Sequence, residues 1–297
     1  MVAAASAVAS GPASGAGAVD RRFARLMTLP LAGVLLALLV YPLLYTLALA
    51  FSAGGGPSLS NIAAVVTADS FWQVVLNTAI FTVGSTAISF LLGFSLAYAM
   101  EFVVAGRRLF ASVLIVPLAV MPVVSGLTWG MMLNPALGVV NYLVRSLGLP
   151  APGWGTDTHT ALLTVMLIDV WQWTPFCFVV LHAGFQSLAR EPLEAALIDG
   201  ASRLQELRYV VLPGLRNVIL ITLVFRFMDA FKAFDTIYIV TKGGPGRASE
   251  TLVIRAFMQA FQFYQPHIAA ALGVILLIAT MLATRKAGDL VGREIDQ

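Results

Sequence analysis

Hydrophobic positions in this chain fall in long unbroken runs instead of the short stripes of soluble elements. A membrane-spanning helix needs roughly 20 mostly apolar residues. Six stretches reach that length, at about 29–51, 74–100, 110–133, 159–184, 214–240 and 265–284. The exception to the pattern is Glu191–Pro213, EPLEAALIDGASRLQELRYVVLP, a polar and helix-prone segment between the fourth and fifth runs. Residues 134–158 mix helical periodicity with Pro and Gly breaks, which predicts a short surface helix and then an irregular turn.

Composition agrees with the pattern: of 297 residues, 59% are hydrophobic and 11% charged, whereas soluble domains are about a quarter charged. The distribution of charge then orients the chain. With the N-terminus in the cytoplasm, twelve Lys and Arg fall on inside segments and four on outside ones, leaving Arg226 and Lys232 within the fifth run. Cytoplasmic loops carry the excess of basic residues, so both termini are expected inside. No basic cluster with interleaved aromatics occurs, and nucleic acid is not an expected partner. Residues 1–20 are low-complexity Ala, Gly and Ser. A signal peptide would carry its charge ahead of an apolar core, but Arg21, Arg22 and Arg25 come after. The expected organisation is a flexible cytoplasmic tail at 1–28, a transmembrane domain at 29–285 and a cytoplasmic tail at 286–297.

Within the polar segment, Pro192 suits the first turn of a helix, where its missing N–H costs nothing. Glu191 and Glu194 in that turn would favour the positive end of the helix dipole, with Glu194 acting as a cap. Gly200 would cost about 1 kcal/mol inside a helix, so it marks a bend or a close contact. Ala201, Leu204, Leu207 and Val211 form an apolar stripe, and Leu212-Pro213 closes the segment. Two readings remain at this point: an amphipathic helix lying on the membrane, or a helix on which a partner docks.

Ionisable groups at membrane depth are costly and face a bundle interior or a wet cavity. In the fifth run Arg226, Asp229, Lys232 and Asp235 follow one another at three-residue spacing with alternating sign. Each step drifts by about 60° around a helix, so the four cannot all face one lumen. They either neutralise one another and contact neighbouring spans, or leave one or two members in a solute pathway. The fourth run carries Asp169, Trp171, Gln172 and Trp173 before Pro175, which is expected to kink it. Trp rings and flanking amides suit sugar hydroxyls and C–H faces, but also ordinary packing. Trp171 and Trp173 lie about 200° apart, so at most one faces a cavity.

No G-x-x-x-x-G-K-[ST] phosphate loop and no nucleophile–base motif occurs, so no catalytic residue is expected. Cys177 is single, and His159, His182 and His267 lack ligand spacing, so no metal site or disulfide is expected either. Cys177 reads as a small buried hydrophobe.

The segment Glu194-Ala195-Ala196, three residues, Gly200, nine residues, Val210, one residue, Leu212-Pro213 resembles the EAA loop of bacterial ABC importer permeases. Asp199-Gly200-Ala201 is similar to the form of that loop in the carbohydrate branch, and Val210 replaces the commoner Ile. Phe234-Asp235-Thr236-Ile237-Tyr238, then Thr241-Lys242-Gly243-Gly244-Pro245, resembles the F-D-x-I-Y…T-x-G-G-P signature of MalF- and UgpA-like sugar permeases. The resemblance runs from about residue 25 to 285. It implies an all-α, six-span type I importer permease in the bacterial cytoplasmic membrane, with a coupling helix within 187–213. Glu194, Ala195, Ala196, Asp199, Gly200, Leu212 and Pro213 would seat in a cytoplasmic ATPase. Asp169, Trp171, Gln172, Trp173, Arg226, Asp229, Lys232 and Asp235 are the candidates for the substrate pathway. The implied partners are a second homologous permease, two ABC ATPases, an extracytoplasmic solute-binding protein, a sugar or polyol, and the lipid bilayer. The chain itself would need no cofactor, ATP and Mg being held by the ATPases. Glycerol 3-phosphate is the alternative cargo, and a self-contained secondary carrier is an alternative class.

Overall fold

A computed structural model describes residues 16–54, 56–103 and 106–295. It divides into two units, residues 1–49 and 50–297. The first unit is the helix α1 (Ala16–Ala50), apolar from Leu26 onward and carrying Pro30 and Pro42 inside it. Helix therefore begins thirteen residues before the expected boundary at 29, because residues 16–28 contain good helix formers that need not be apolar. The part of the expected tail before residue 16 lies outside the described residues.

The second unit opens with a two-stranded ribbon of β1 (Ser52–Ala53) and β2 (Gly56–Pro57), followed by α2 (Ser60–Val66). The spans then follow: α3 (Phe71–Met100), α4 (Arg107–Ala119), α5 (Pro122–Met132), the short α6 (Val139–Ser146) and α7 (Ala161–Gln186). Next come α8 (Arg190–Ile198), α9 (Arg203–Glu206), a π-helical turn at Leu207–Val211 and α10 (Leu212–Gly214). The chain finishes with α11 (Arg216–Phe231), α12 (Asp235–Val240), α13 (Leu252–Phe261) and α14 (Pro266–Ile295).

Four helices, at 26–50, 71–100, 161–186 and 266–286, are long and apolar enough to cross a membrane. The third expected span is instead two helices, α4 and α5, meeting at 95°. Pro122 at the start of α5 cannot donate a backbone hydrogen bond, and Met121 ahead of it is extended, so the helix stops at Val120. The fifth span, 216–240, joins the preceding helix at 71°. Counting each bent pair as one span gives six. Pro175 does not interrupt α7, which runs through it as one helix. The C-terminal helix continues to Ile295, through most of what was expected to be a tail; residues 296–297 lie outside the described set.

The centre of the second unit is the α3–α7 pair, which α11 crosses. Gly93 permits it: a Cβ there would lie 2.5 Å from the Cβ of Cys177. Small residues let transmembrane backbones approach in this way, and Cys177 is the small buried hydrophobe expected. One apolar cluster joins Met100, Phe178, Leu181 and Phe185 to Val211 and Leu215 at the end of α7 that leads to α8. A second, built on Phe81, Val165, Ile237 and Ile254, occupies the other half of the bundle. There the polar side chains of α3 pin the 241–251 turn. Asn77 donates to the Arg247 and Glu250 carbonyls at 2.8 and 3.2 Å, and Thr78 Oγ1 accepts from the Leu252 N–H at 2.9 Å.

Candidate functional site

Two regions hold the residues singled out by sequence, at different depths. The first is the polar segment. α8 starts at Arg190 with Ala189 as its uncapped N-cap, so Pro192 and Glu191 fall in the first turn. Glu194 falls one turn later, exposed, and the capping role expected for it is not seen. The other end of α8 explains the small residues. Gly200 adopts φ +73°, its N–H donates to the Leu197 carbonyl at 3.2 Å, and the Ala201 N–H donates to Ala196 at 3.0 Å. This is a Schellman cap, in which glycine at the left-handed position costs least. No atom lies within 4 Å of a Cβ built on Gly200, so it is a bend and not a close contact. Ser202 then caps α9 in a reciprocal capping box with Gln205.

Only one side of this helix–glycine–helix unit is anchored. Val211 and Leu215 are buried in the cluster below, with Leu193 and Leu207 packed against it. Of the expected stripe, Leu204 points outward instead. Leu197, Ile198, Leu204 and Tyr209 are 58, 86, 73 and 68% exposed. Ala195, Asp199, Leu212 and Pro213 are exposed as well, and Ala196 is half-buried.

The second region lies within the bundle. Arg226 is fully buried on α11 and ion-paired to Asp169 on α7, to which Ser85 of α3 also donates. Its Nη2 donates to Ser85 Oγ at 2.6 Å and its Nε to Ser89 Oγ at 3.1 Å. The Trp173 ring covers the guanidinium, 5.6 Å from its carbon. Asp229, one-third exposed, stands 3.6 Å from Nη1. Of the two contributions expected for this ladder, contacts to neighbouring spans outweigh pairing along the helix. Arg226 is satisfied chiefly across helices, and Lys232 and Asp235 fall on either side of the break between α11 and α12, both exposed. Burial of the whole side chain forces this, since a charge at such depth must be paired and hydrogen-bonded.

Gln172 is committed within the bundle as well. Only 3% exposed, it donates its Nε2 proton to the Val120 carbonyl at 2.7 Å. That carbonyl ends α4 at the 95° break, so Gln172 satisfies the backbone there. Trp171 faces the opposite way from Trp173, as expected, and meets Trp129 of α5 edge-on at 5.4 Å. Asp169, Gln172 and Arg226 are therefore buried and engaged with neighbouring elements, and Trp171, Asp229, Lys232 and Asp235 keep exposed surface. Ser85 and Ser89 were not singled out by sequence, where a serine in an apolar run carries no periodic signal.

The second signature is a local staple. Phe234 stacks on Tyr238, 5.2 Å between ring centres, and both rings meet Phe257. Ser249 Oγ lies 2.7 Å from Thr241 Oγ1 and 2.8 Å from the Gly244 carbonyl, closing the turn that holds the cis Gly244–Pro245 bond. Outside the spans, burial pushes the Glu250 carboxyl above its ordinary range, and Arg255 and Arg247 pull in the opposite direction.

Residues 89–293 match the family described as "Binding-protein-dependent transport system inner membrane component". The chain belongs to this family. The match takes in α7, the helix–glycine–helix segment and α11, so the geometry above is that of an ABC importer permease subunit, an all-α membrane protein. The permease is 31% identical over 245 residues to the trehalose/maltose transport system permease protein MalF of Thermococcus litoralis, covering 80% of this chain and 83% of that one. It is 34% identical over 229 residues to the sn-glycerol-3-phosphate transport system permease protein UgpA of Agrobacterium fabrum, covering 76% and 77%. Its fold matches a chain in the crystal structure of a bacterial ABC transporter for import of the acidic polysaccharide alginate. The TM-score is 0.83 at 19% identity, over 93% of this chain and 98% of that one.

Proposed function

We propose that the permease forms half of the pathway of an ATP-driven importer for a neutral oligosaccharide or polyol, and that residues 190–214 receive the motion of a partner ATPase. The observation that carries the docking role is the exposed apolar surface of Leu197, Ile198, Leu204 and Tyr209 on an otherwise polar segment. It is held by a rigid glycine bend and rooted through Val211 and Leu215 in the α3–α7 core. A docking helix needs both properties, an uncovered face and a stiff connection to what it moves. The excess of basic residues on this side of the bundle supports a cytoplasmic location for it and for both termini. A second permease, two ATPases and a solute-binding protein complete the assembly. Movement of the segment would then rock α7 and α11 together, because Asp169 and Arg226 tie them.

The relatives named above favour a disaccharide or glycerol phosphate. Arg226, the basic group best placed for a phosphate, is consumed by Asp169 and fully buried, which favours the neutral sugar. Lys232 and Asp229 retain exposed surface and balance in charge. Uptake into proteoliposomes holding the whole assembly should be driven by internal ATP and competed by trehalose or maltose, but not by glycerol phosphate. Uptake by this chain alone would overturn the importer reading, and competition by glycerol phosphate alone would overturn the sugar.

A further inference from the structure

The connection between α5 and α7 contains a helix that is amphipathic the wrong way round for water. On α6 the polar Asn141 faces inward, 1% exposed. Its Nδ2 donates to the Pro152 carbonyl at 3.1 Å, and its Oδ1 accepts from Trp154 Nε1 at 2.7 Å. The apolar side chains face out: Tyr142 is 70% exposed, Leu143 55% and Leu147 76%. Arg145 is exposed and keeps its charge, but its guanidinium turns back to donate to the Pro135 carbonyl. The burial pattern follows from hydrogen bonding, since Asn141 is the group that closes the loop, but it leaves a contiguous apolar patch uncovered.

The position of that patch identifies its cover. α6 follows the C-terminal end of α5 and precedes the N-terminal end of α7, opposite to the end of α7 that leads to residues 190–214. Met131 on α5 and Leu167 on α7, 76 and 53% exposed, extend the same apolar surface down the spans. Between the three helices a recess of about 300 Å³ opens, framed by Trp129, Leu133, Val140, Trp154 and Leu167. The one polar atom of Trp154 is engaged by Asn141, so its ring presents only an apolar wall. Aromatic rings of this kind concentrate at the membrane–water boundary.

We infer that α6 is an interfacial helix whose Tyr142–Leu143–Leu147 face lies in bilayer lipid, and that the recess beneath it takes a phospholipid acyl chain. The bilayer is favoured over a protein partner because the recess joins α6 to apolar side chains of both flanking helices, Trp129 and Leu167, in a chain whose spans are themselves apolar on the outside. Amphipathic helices bury their apolar faces at the headgroup–acyl boundary in this manner. On the orientation proposed above, the leaflet is the outer one.

The test uses the assembled transporter in lipid nanodiscs, with Leu143→Cys, Leu147→Cys and, as a solvent control, His159→Cys each carrying a nitroxide. Native Cys177 is buried and stays unlabelled. Relaxation by oxygen, which concentrates in lipid, should exceed relaxation by a water-soluble nickel chelate several-fold at 143 and 147, and the order should reverse at 159. In nanodiscs of brominated phosphatidylcholine, Trp fluorescence should be quenched, and the part due to the recess should disappear in Trp129→Leu. Labels at 143 and 147 that respond to nickel as strongly as the one at 159 overturn the proposal. Labels shielded from both agents also overturn it, assigning the face to a protein partner. Neither result depends on the cargo or the ATPase, so a failure here is separable from a failure of the importer reading.

Discussion

Two parts of this permease hold charged residues under opposite rules. In the bundle, Arg226, Asp169, Ser85 and Ser89 are buried and partnered from three helices. In the 190–214 segment no residue of α8 is buried, and apolar side chains as well as charged ones stand uncovered. The first arrangement spends polar groups on holding helices together, and the second leaves surface unsatisfied for something else to meet. A substitution in the first should therefore be read in stability, and one in the second in coupling.

The largest expected effect tests that division directly. Arg226→Met leaves Asp169 buried without its cation and should destabilise the protein by about 3–5 kcal/mol, seen as a lowered unfolding midpoint in detergent. The double variant Arg226→Met with Asp169→Leu should recover most of the loss. If the single variant is as stable as the parent, the pair is no brace. Gln172→Leu should cost about 1–3 kcal/mol, the penalty of an orphaned carbonyl at Val120, and should speed proteolysis near the α4–α5 break. An unchanged cleavage rate would remove Gln172 from that role.

On the other side of the comparison, Gly200→Val forces a left-handed position on a β-branched residue, at a local strain of about 1–2 kcal/mol. Membrane insertion should survive, and ATP-driven uptake should fall several-fold with reduced retention of the ATPase. Glu194→Lys should lower uptake with no change in midpoint. Full uptake in both variants would sink the docking assignment. The smallest effect concerns Glu250, which neither spans nor couples. Its carboxyl is raised in the folded state, so its contribution to stability is greatest below the unfolded carboxylate range. It weakens as pH rises through the folded value. Glu250→Gln should flatten that acid-side slope and shift stability at neutral pH by less than about 1 kcal/mol. A steeper slope in the variant would reverse the sign.

Apolar run lengths were enough to read most spans, because burying backbone in lipid demands a helix of set length. They failed at 110–133, where every residue is apolar enough but Pro122 ends the helix, and hydropathy does not register a change of direction. Gly200 was legible as a bend because a glycine in a helix-prone stretch has a local cost. Glu194 was misplaced as a cap because the start of α8 is set by Ala189 and not by the nearest acid.

The polar residues of the spans divide along the same line. Which side chains were ionisable, and that each needed a partner, followed from their type and depth alone. Spacing along α11 showed that Arg226 could pair with Asp229, as it does, but not that its main partner lies 57 residues away on α7. Sequence by itself determined the class of protein, the run of apolar segments and the presence of a polar segment between the fourth and fifth of them, since these depend on composition and local length. Tertiary structure alone decided which polar groups are buried as braces and which remain exposed. That choice depends on which helices come close enough to share a hydrogen bond, as α3 and α7 do where Gly93 packs against Cys177, and not on any property of Arg226 alone.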